Sequence, residues 1–347
     1  RMIKEAIKKV ADRIDLEESE AVQVMEEIMS GEATPAQIAA FITALRMKGE
    51  TVDEIVGAAR VMRAKAARVP GEDGEGHGGN DHKTLVDTCG TGGDGTMTFN
   101  ISTTAAFVVA GGGIKVAKHG NRSVSSSCGS ADVLEKLGIN IEASPEKVGQ
   151  YIDRVGIGFL FAPVFHSSMR YAIGPRKEVG LRTIFNVLGP LTNPAGARYQ
   201  LVGVYDEALC EPLAQVLGRL GAERAMVVHG LDGMDEISVT GETKVSEMVD
   251  DEVRTYFVRP GDFGLKQYDM KELQGGNVEE NARILEGVLS GKANGAKRAV
   301  VALNAGAAFY VSGGFKDIKE GVRYAEQVID SGKALAKLRE LVGACRA

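Results

Sequence analysis

The chain contains a glycine-rich stretch, Val86-Asp87-Thr88-Cys89-Gly90-Thr91-Gly92-Gly93-Asp94-Gly95. Residues 84–86 lead into it with the composition of a short strand, and residues 100–107 follow it with that of a helix. Four glycines within residues 90–95 let backbone amides approach a bulky anion, and the helix start offers unpaired N–H groups and a positive dipole end. The stretch predicts a strand, a turn and a helix that receive a phosphorylated ligand. Many nucleotide folds share this pattern, so a tight turn without a ligand stays open.

Polar side chains are dense where this helix begins. Asp94 lies inside the turn, where it could face a sugar hydroxyl or a metal-bound water. Thr98, Asn100, Ser102 and Thr103 crowd the helix start, although one capping residue would suffice. This surplus favours a phosphate cradle over a plain turn.

Beyond residue 83 the sequence alternates between strand-like and helix-like segments. Such alternation predicts a mostly parallel central sheet covered by helices, with ligands bound beyond the carboxyl ends of the strands. The predicted strands are 84–88, 114–117, 159–162, 200–205, 225–229 and 299–303. The predicted helices are 100–110, 131–137, 145–155, 207–220, 277–290 and 317–330.

The first 67 residues carry only helical signals. Apolar residues recur there at helical spacing, while capping boxes at 34–37 and 51–54 and glycines at 31 and 49 mark helix boundaries. Residues 70–81 are polar and glycine-rich, which predicts a connector. The sequence therefore predicts an all-helical domain over 1–67 and an α/β domain over 68–347. His77 and His82, in or beside the connector, are interpreted as solvated loop histidines, with a metal role as the alternative.

Composition restricts the class of protein. A length of 347 residues suggests two domains, and 44% apolar residues are enough for a large core. A net charge of −6 and the absence of Trp argue against a nucleic-acid partner. The four cysteines lie far apart, which indicates reduced thiols rather than a disulfide or zinc framework. With no apolar stretch near 18 residues, we expect a cytoplasmic protein without a membrane partner.

Two further polar turns follow predicted strands. Residues 118–130 combine Lys118 and Arg122 with five serines and two glycines, which suits an anion, although a solvated loop is the alternative. Residues 229–238 carry the adjacent carboxylates Asp235 and Glu236 in a glycine turn. Mg²⁺ prefers a few carboxylates completed by waters and phosphate oxygens, so this turn favours a magnesium-diphosphate site. A solvated acidic turn is its ordinary interpretation.

A fourth segment, residues 161–183, alternates basic and apolar side chains. That pattern could hold a flat, anionic aromatic molecule. An amphipathic helix whose cations face water is equally compatible with the spacing.

Five motifs in order resemble the anthranilate phosphoribosyltransferase family. They are GTGGDG at 90–95, NIST at 100–103, KHGNRSVSS at 118–126, RTIFNVLGPLTNPA at 182–195 and the Asp235-Glu236 turn. The resemblance runs from about residue 3 to residue 342 and implies a class II nucleoside-phosphorylase-like phosphoribosyltransferase fold, in which residues 168–187 join the helical domain. It implies transfer of the 5-phosphoribosyl group from phosphoribosyl diphosphate (PRPP) to the amino group of anthranilate, with release of diphosphate, in tryptophan biosynthesis.

The resemblance also implies the site residues. Those for PRPP are Gly90, Gly93, Asp94, Thr98, Asn100, Ile101, Ser102, Thr103, Lys118, His119, Gly120, Asn121, Arg122, Ser123, Val124, Ser125, Ser126 and Ser130. Those for anthranilate are Gly90, Asn121, His166 and Arg176, of which Arg176 would pair with the carboxylate. Ser102, Asp235 and Glu236 would hold Mg²⁺, and Lys118, Asp235 and Glu236 would act in catalysis on the leaving diphosphate.

Five residues at three places in the chain depart from the family pattern. Val164-Phe165 replaces Asn-His, Ser167-Ser168 replaces Pro-Ala, and Gly306 stands where Ala is frequent. The first two border the expected acceptor pocket, so they affect its affinity more than its identity.

Two alternative functions are compatible with parts of the sequence. A pyrimidine nucleoside phosphorylase has a similar fold. Its acceptor is inorganic phosphate and its substrate carries no diphosphate, so a magnesium site with two adjacent carboxylates would be less useful to it. A non-catalytic nucleic-acid-binding relative should be basic, whereas this chain is acidic. The resemblance implies a homodimer formed through the helical domain.

Overall fold

The computed structural model describes residues 2–71, 84–123 and 128–347. Its N-terminal part consists of four helices, α1 (Met2–Ala11), α2 (Glu18–Met29), α3 (Pro35–Lys48) and α4 (Val52–Lys65). Thr34 and Thr51 form the two predicted capping boxes at the starts of α3 and α4. Most of the predicted connector, with His77 and His82, lies outside the described residues.

A seven-stranded sheet forms the centre of the larger part. Its strands are β1 (Leu85–Gly90), β2 (Lys115–Gly120), β3 (Ile157–Phe161), β4 (Tyr199–Gly203), β5 (Arg224–Gly230), β6 (Thr243–Val249) and β7 (Glu252–Val258). They lie in the order β3-β2-β1-β4-β5-β6-β7. The first five are parallel, while β6 and β7 add an antiparallel hairpin at one edge. The predicted mostly parallel sheet is confirmed.

Helices cover both faces of this sheet. They are α5 (Ile101–Gly111), α6 (Ser130–Lys136), α7 (Pro145–Arg154), α8 (Ala162–Phe165), α9 (Arg170–Val179), α10 (Phe185–Leu188), α11 (Cys210–Arg219), α12 (Val278–Leu289), α13 (Ala296–Val311), α14 (Ile318–Asp330) and α15 (Lys333–Arg346). All six predicted helices overlap one of them. No helix in the described ranges is long and apolar enough to cross a bilayer.

Alternate strand residues supply two hydrophobic cores, as the pleat requires. On β4, Leu201 packs into the core that holds α5 and α12 to α15, whereas Val202 packs into the core that holds α11 and α1 to α4. Ala172 of α9 belongs to the second core, and α9 packs against α3. The domain division at residues 67 and 68, with 168–187 joining the helices, stays a prediction.

One predicted element is wrong. Residues 299–303 were assigned to a strand on their apolar run, but they lie inside α13 and are buried. A fully buried helix and a fully buried strand both present continuous apolar runs, so periodicity cannot separate them. The β6–β7 hairpin and α15 are not among the predicted elements. The other five predicted strands overlap β1 to β5.

Candidate functional site

Three polar turns leave the carboxyl ends of parallel strands. The glycine turn follows β1 and ends at α5, the serine-containing loop follows β2 and ends at α6, and the acidic turn follows β5. Parallel pairing of β2, β1, β4 and β5 puts these turns at one edge of the sheet. That edge is where open α/β sheets bind ligands.

Hydrogen bonds join the glycine turn to the acidic turn. The Gly92 N–H donates to Asp235 Oδ2 at 2.9 Å, and the Asp235 N–H donates to Asp94 Oδ2 at 3.2 Å. At the start of α5, the Ser102 N–H donates to Glu236 Oε1 at 3.2 Å. These bonds bring distant parts of the chain into one site, since Ser102 and Glu236 are 134 positions apart in sequence.

Two strand-end glycines make this approach possible. A Cβ on Gly90 would lie 2.5 Å from Asp235 Oδ2, and one on Gly203 would lie 1.5 Å from the Asp235 carbonyl oxygen. No side chain fits at either place. Gly90 was predicted as a site residue, whereas Gly203 was missed, although a glycine at the end of a predicted strand is its sequence signal.

The acidic turn brings partly buried carboxylates together. Burial, followed by the Asp94 carboxylate, raises the pKa of Asp235 to about 7. Burial and the charge of Asp235 raise the pKa of Glu236 well above its ordinary value, while Lys118 opposes the rise. A cation would favour the ionised form of both groups. Their hard oxygen donors fit Mg²⁺ rather than a soft metal. Within the described ranges no three His, Cys, Asp or Glu side chains form a metal-ligating cluster, so these residues would supply only part of a coordination sphere.

Lys118 is buried near the carboxyl end of β2 beside a second internal carboxylate. Asp87 accepts hydrogen bonds from the His119 N–H at 3.2 Å and from Asn193 Nδ2 at 2.8 Å. Burial raises the pKa of Asp87, and the Lys118 charge opposes the rise. Asn193 Nδ2 also donates to the Ala117 carbonyl at 2.9 Å, which ties β1 to β2. Asp87 and Asn193 were given no role, although both lie within motifs that the sequence singles out.

His119 and His166 form a buried pair. His119 Nδ1 lies 3.0 Å from the Gly189 carbonyl, and the two Nε2 atoms lie 3.2 Å apart. A carbonyl can only accept, so His119 carries its proton on Nδ1 and its Nε2 accepts from His166 Nε2–H. Burial lowers the pKa of His119 to about 3 and that of His166 to about 4. Both rings are neutral near pH 7, and the pair fixes the His166 ring with Nδ1 as its lone-pair atom.

Arg176 lies on α9, within the segment predicted to hold the aromatic acceptor. Its guanidinium carbon lies 5.3 Å from the centre of the Phe185 ring. Burial lowers its pKa, and no carboxylate pairs with it among the residues that the structure describes. Arg176 is therefore a partly buried cation with no anionic partner in the described ranges.

Arg182 was missed by the sequence reasoning. It lies after α9, donates to the Gly93 carbonyl and stacks 4.2 Å from the centre of the Tyr205 ring. It links the segment after α9 to the glycine turn. Its sequence signal was its place in the 182–195 motif.

The remaining predicted residues lie around these turns. Asn100 does not cap α5 with its side chain but donates to the Cys128 carbonyl at 3.1 Å. Ser130 Oγ donates to the Asn121 carbonyl at 3.2 Å, and Arg122 pairs with acidic residues of α6. Gly93, Thr98, Ile101, Thr103, Gly120 and Ser123 lie on the same turns and helix start. Val124, Ser125 and Ser126 lie outside the described residues.

Comparisons with known proteins agree over nearly the whole length. Residues 82–335 match the family described as "Glycosyl transferase family, a/b domain", and residues 4–66 match "Glycosyl transferase family, helical bundle domain". Anthranilate phosphoribosyltransferase from Geobacter sulfurreducens is 59% identical, over 98% of this chain and 99% of the relative. The crystal structure of that enzyme from Thermus thermophilus has a TM-score of 0.92 at 44% identity, over 99% of both chains. The Saccharomyces cerevisiae enzyme in complex with PRPP and Mg has a TM-score of 0.88 at 30% identity, over 99% of this chain and 98% of that one.

Proposed function

The chain belongs to the anthranilate phosphoribosyltransferase family, and on that basis we propose that it transfers the 5-phosphoribosyl group of PRPP to the amino group of anthranilate, in tryptophan biosynthesis. Diphosphate is the leaving group. The observation that carries the proposal is the junction of the glycine turn with the acidic turn, made by the bonds from Gly92 to Asp235 and from Ser102 to Glu236. The glycine turn would bind a phosphate of PRPP, and Asp235 and Glu236 would bind the Mg²⁺ that accompanies it.

The donor half of the reaction needs charge stabilisation. Breaking the anomeric C–O bond leaves positive charge on the ribose and negative charge on the diphosphate. We assign Mg²⁺ to Ser102, Asp235 and Glu236, where the bound ion would neutralise charge on the diphosphate oxygens. We assign Lys118 as a second cation at the end of β2 and Asp94, in the glycine turn, to the sugar of PRPP.

The remaining donor contacts come from backbone amides and short polar side chains. We assign Gly90, Gly93, Thr98 and residues 100–103 to the 5-phosphate and ribose, since the α5 start presents N–H groups and a dipole end. Residues 118–126 and Ser130 are assigned to PRPP as well, at the carboxyl end of β2. These assignments follow the motifs and the shared sheet edge.

The acceptor half needs orientation more than proton removal, because an aniline nitrogen has a usable lone pair. We assign the anthranilate carboxylate to Arg176, whose guanidinium has no described anion of its own. Gly90, Asn121 and His166 would complete the acceptor site. The tautomer imposed by His119 leaves His166 Nδ1 as a hydrogen-bond acceptor for an amino N–H.

Two properties of the protein in solution stay predictions. We infer a homodimer formed through the helical domain, which light scattering during size-exclusion chromatography would test. A cytoplasmic location is likewise inferred from the cysteine usage.

Anthranilate fluorescence tests the reaction directly. We expect the anthranilate signal to decay when PRPP and Mg²⁺ are both present and to persist when either is omitted. A parallel assay with uridine or thymidine plus phosphate should give no base release. Release of base without loss of anthranilate fluorescence would favour the nucleoside phosphorylase instead.

A further inference from the structure

A carboxylate outside the assigned site joins the two ends of the loop between β2 and α6. These ends, Asn121–Ser123 and Gly129–Ser130, are called the neck. Asp132, in the first turn of α6, accepts at Oδ2 from the Ser123 N–H at 3.1 Å and from the Gly129 N–H at 2.9 Å. Its Oδ1 accepts from Arg122 Nη1 at 2.9 Å. One side chain therefore binds the backbone on both sides of residues 124–127, which lie outside the described ranges.

The two sides of the neck are in direct backbone contact. A Cβ on Gly129 would lie 2.3 Å from the Ser123 nitrogen and 2.8 Å from the Asn121 carbonyl oxygen. The Asn121 carbonyl also accepts from the Ala131 N–H at 3.1 Å and from Ser130 Oγ at 3.2 Å. The two sides of the neck therefore pack backbone against backbone, and Asp132 supplies the anionic acceptor that joins them.

The charge of Asp132 is compensated locally. Burial alone would raise its pKa, but the N–H groups of Gly129 and Ser123 and the Arg122 guanidinium hold the pKa below its ordinary value. Arg122 is held in turn by Glu135 at 3.0 Å and lies 5.7 Å from the centre of the Phe161 ring. A free carboxylate would repel a diphosphate, whereas this one is bound to donors of the loop itself.

We propose that Asp132 is a positioning residue, which fixes the backbone of Asn121–Ser123 and Gly129–Ser130 in the conformation that receives PRPP. The inference rests on the proposed function, which assigns these segments to PRPP. Asp132 acts through the loop and does not touch the substrate. Its loss raises the free-energy cost of holding these two segments in that conformation, so it weakens PRPP binding more than it slows turnover at saturation.

Graded substitutions separate the two kinds of contact that Asp132 makes. Asp132→Asn keeps one carbonyl oxygen that can accept both backbone N–H groups, but it loses the charge that faces Arg122. Asp132→Ser keeps one short acceptor, and Asp132→Ala keeps none. Glu135→Gln is the matched control, because it removes the other acidic partner of Arg122 without touching the neck.

The experiment measures PRPP binding in the presence of Mg²⁺ by calorimetry, together with kcat and both KM values. We expect Asp132→Ala to weaken PRPP binding about 10- to 100-fold, with a smaller effect on kcat, because it removes the acceptor of both backbone N–H groups and the partner of Arg122. Asp132→Asn and Glu135→Gln should stay within about threefold of the wild type, and Asp132→Ser should fall between Asn and Ala.

Each outcome decides the inference. Unchanged PRPP affinity in Asp132→Ala overturns it, and so does an equal loss in the Asn and Ala variants, because charge rather than the neck bonds would then matter. If Asp132→Ala does not fold, the order of the Asn and Ser variants carries the same test. If the wild-type protein does not bind PRPP, the proposed function is overturned. If the wild type binds PRPP and all Asp132 variants bind it with the same affinity, only this inference is overturned.

Discussion

Arg176 is the clearest single-residue feature of the acceptor side. Its guanidinium is half-buried against Phe185, and burial lowers its pKa because no described carboxylate compensates it. Burying a charge without a partner costs free energy, which a bound anion would recover. We therefore assign Arg176 to binding of the anthranilate carboxylate rather than to packing.

Arg176→Ala should raise the KM for anthranilate about 10- to 100-fold and leave the KM for PRPP within about threefold, because it removes a charge-assisted pair. Steady-state kinetics with each substrate varied in turn measure the split. Lys177→Ala, exposed and adjacent on α9, is the matched control. Unchanged anthranilate kinetics in Arg176→Ala would refute the assignment.

The His119–His166 pair predicts a dependence of stability on pH. Burial lowers the pKa of His119 to about 3 and that of His166 to about 4, while an unfolded histidine titrates near 6.5. Between about pH 6.5 and pH 4 the unfolded chain binds protons that the native pair does not. Stability that is fully present above pH 6.5 is therefore lost as the pH falls towards 4.

Urea unfolding at pH 7, 6 and 5 measures this loss. Relative to His119→Gln/His166→Gln, the wild type should lose up to about 2 kcal/mol per histidine between pH 6.5 and pH 5. The comparison cancels the titration of other groups. Parallel curves for the two proteins would show that the buried pair does not control the loss.

The sequence motifs indicate candidate site residues more readily than the residues that support them. Glycines, hydroxyls and paired carboxylates carry a local chemical signal, so Gly90, Asp94 and Asp235 could be selected from their motifs. Asn193 and Arg182 act on partners 106 and 89 positions away, Asp87 and Gly93. Such contacts exist only once the sheet has formed, so no local pattern predicts them.

At the scale of elements, α13 was predicted in part as a strand, and its contact with α14 explains a glycine inside a helix. The run at 299–303 was assigned to a strand because its length and apolarity do not distinguish a buried helix. In the fold, the α13 backbone at Gly306 touches the α14 backbone: a Cβ on Gly306 would lie 2.5 Å from the Val322 nitrogen. In this chain the close approach of the two helices, rather than helix propensity, accounts for a glycine at a position where the family often has alanine.

Gly306→Ala should therefore lower the free energy of unfolding by about 1–3 kcal/mol, although alanine is the better helix former. Gly343→Ala, in α15 with nothing within 4 Å of its added Cβ, should be neutral or stabilising by up to about 1 kcal/mol. Denaturant unfolding of the two variants checks the contrast. A Gly306→Ala protein as stable as the wild type would mean that the two helices separate at little cost.

At the scale of the whole molecule, parallel strand order explains why distant motifs meet. The turns after β1, β2 and β5 share one sheet edge because the strands between them run in the same direction. The alternation of strands and helices was enough to predict this edge. One face of the sheet, which carries Val202 and Val227, shares a hydrophobic core with α11 and the N-terminal helices.

The acidic turn should make ligand binding depend on magnesium. Asp235→Asn/Glu236→Gln should abolish magnesium-dependent turnover and the magnesium-dependent part of the rise in Tm caused by PRPP. In the wild type, PRPP at about 100 times its Kd should add about 2.7 kcal/mol of stability by mass action. Glu242→Gln/Glu252→Gln removes equal charge outside the site and should behave as the wild type. Normal magnesium dependence in the first variant would remove the metal assignment.

The most direct test is a crystal structure of the protein with PRPP and Mg²⁺. We predict one PRPP molecule in contact with residues 90–95, the α5 start and Lys118 together, with the ion between its diphosphate and the carboxylates of Asp235 and Glu236. A ligand held by one of these turns alone, with the others facing elsewhere, would contradict the account.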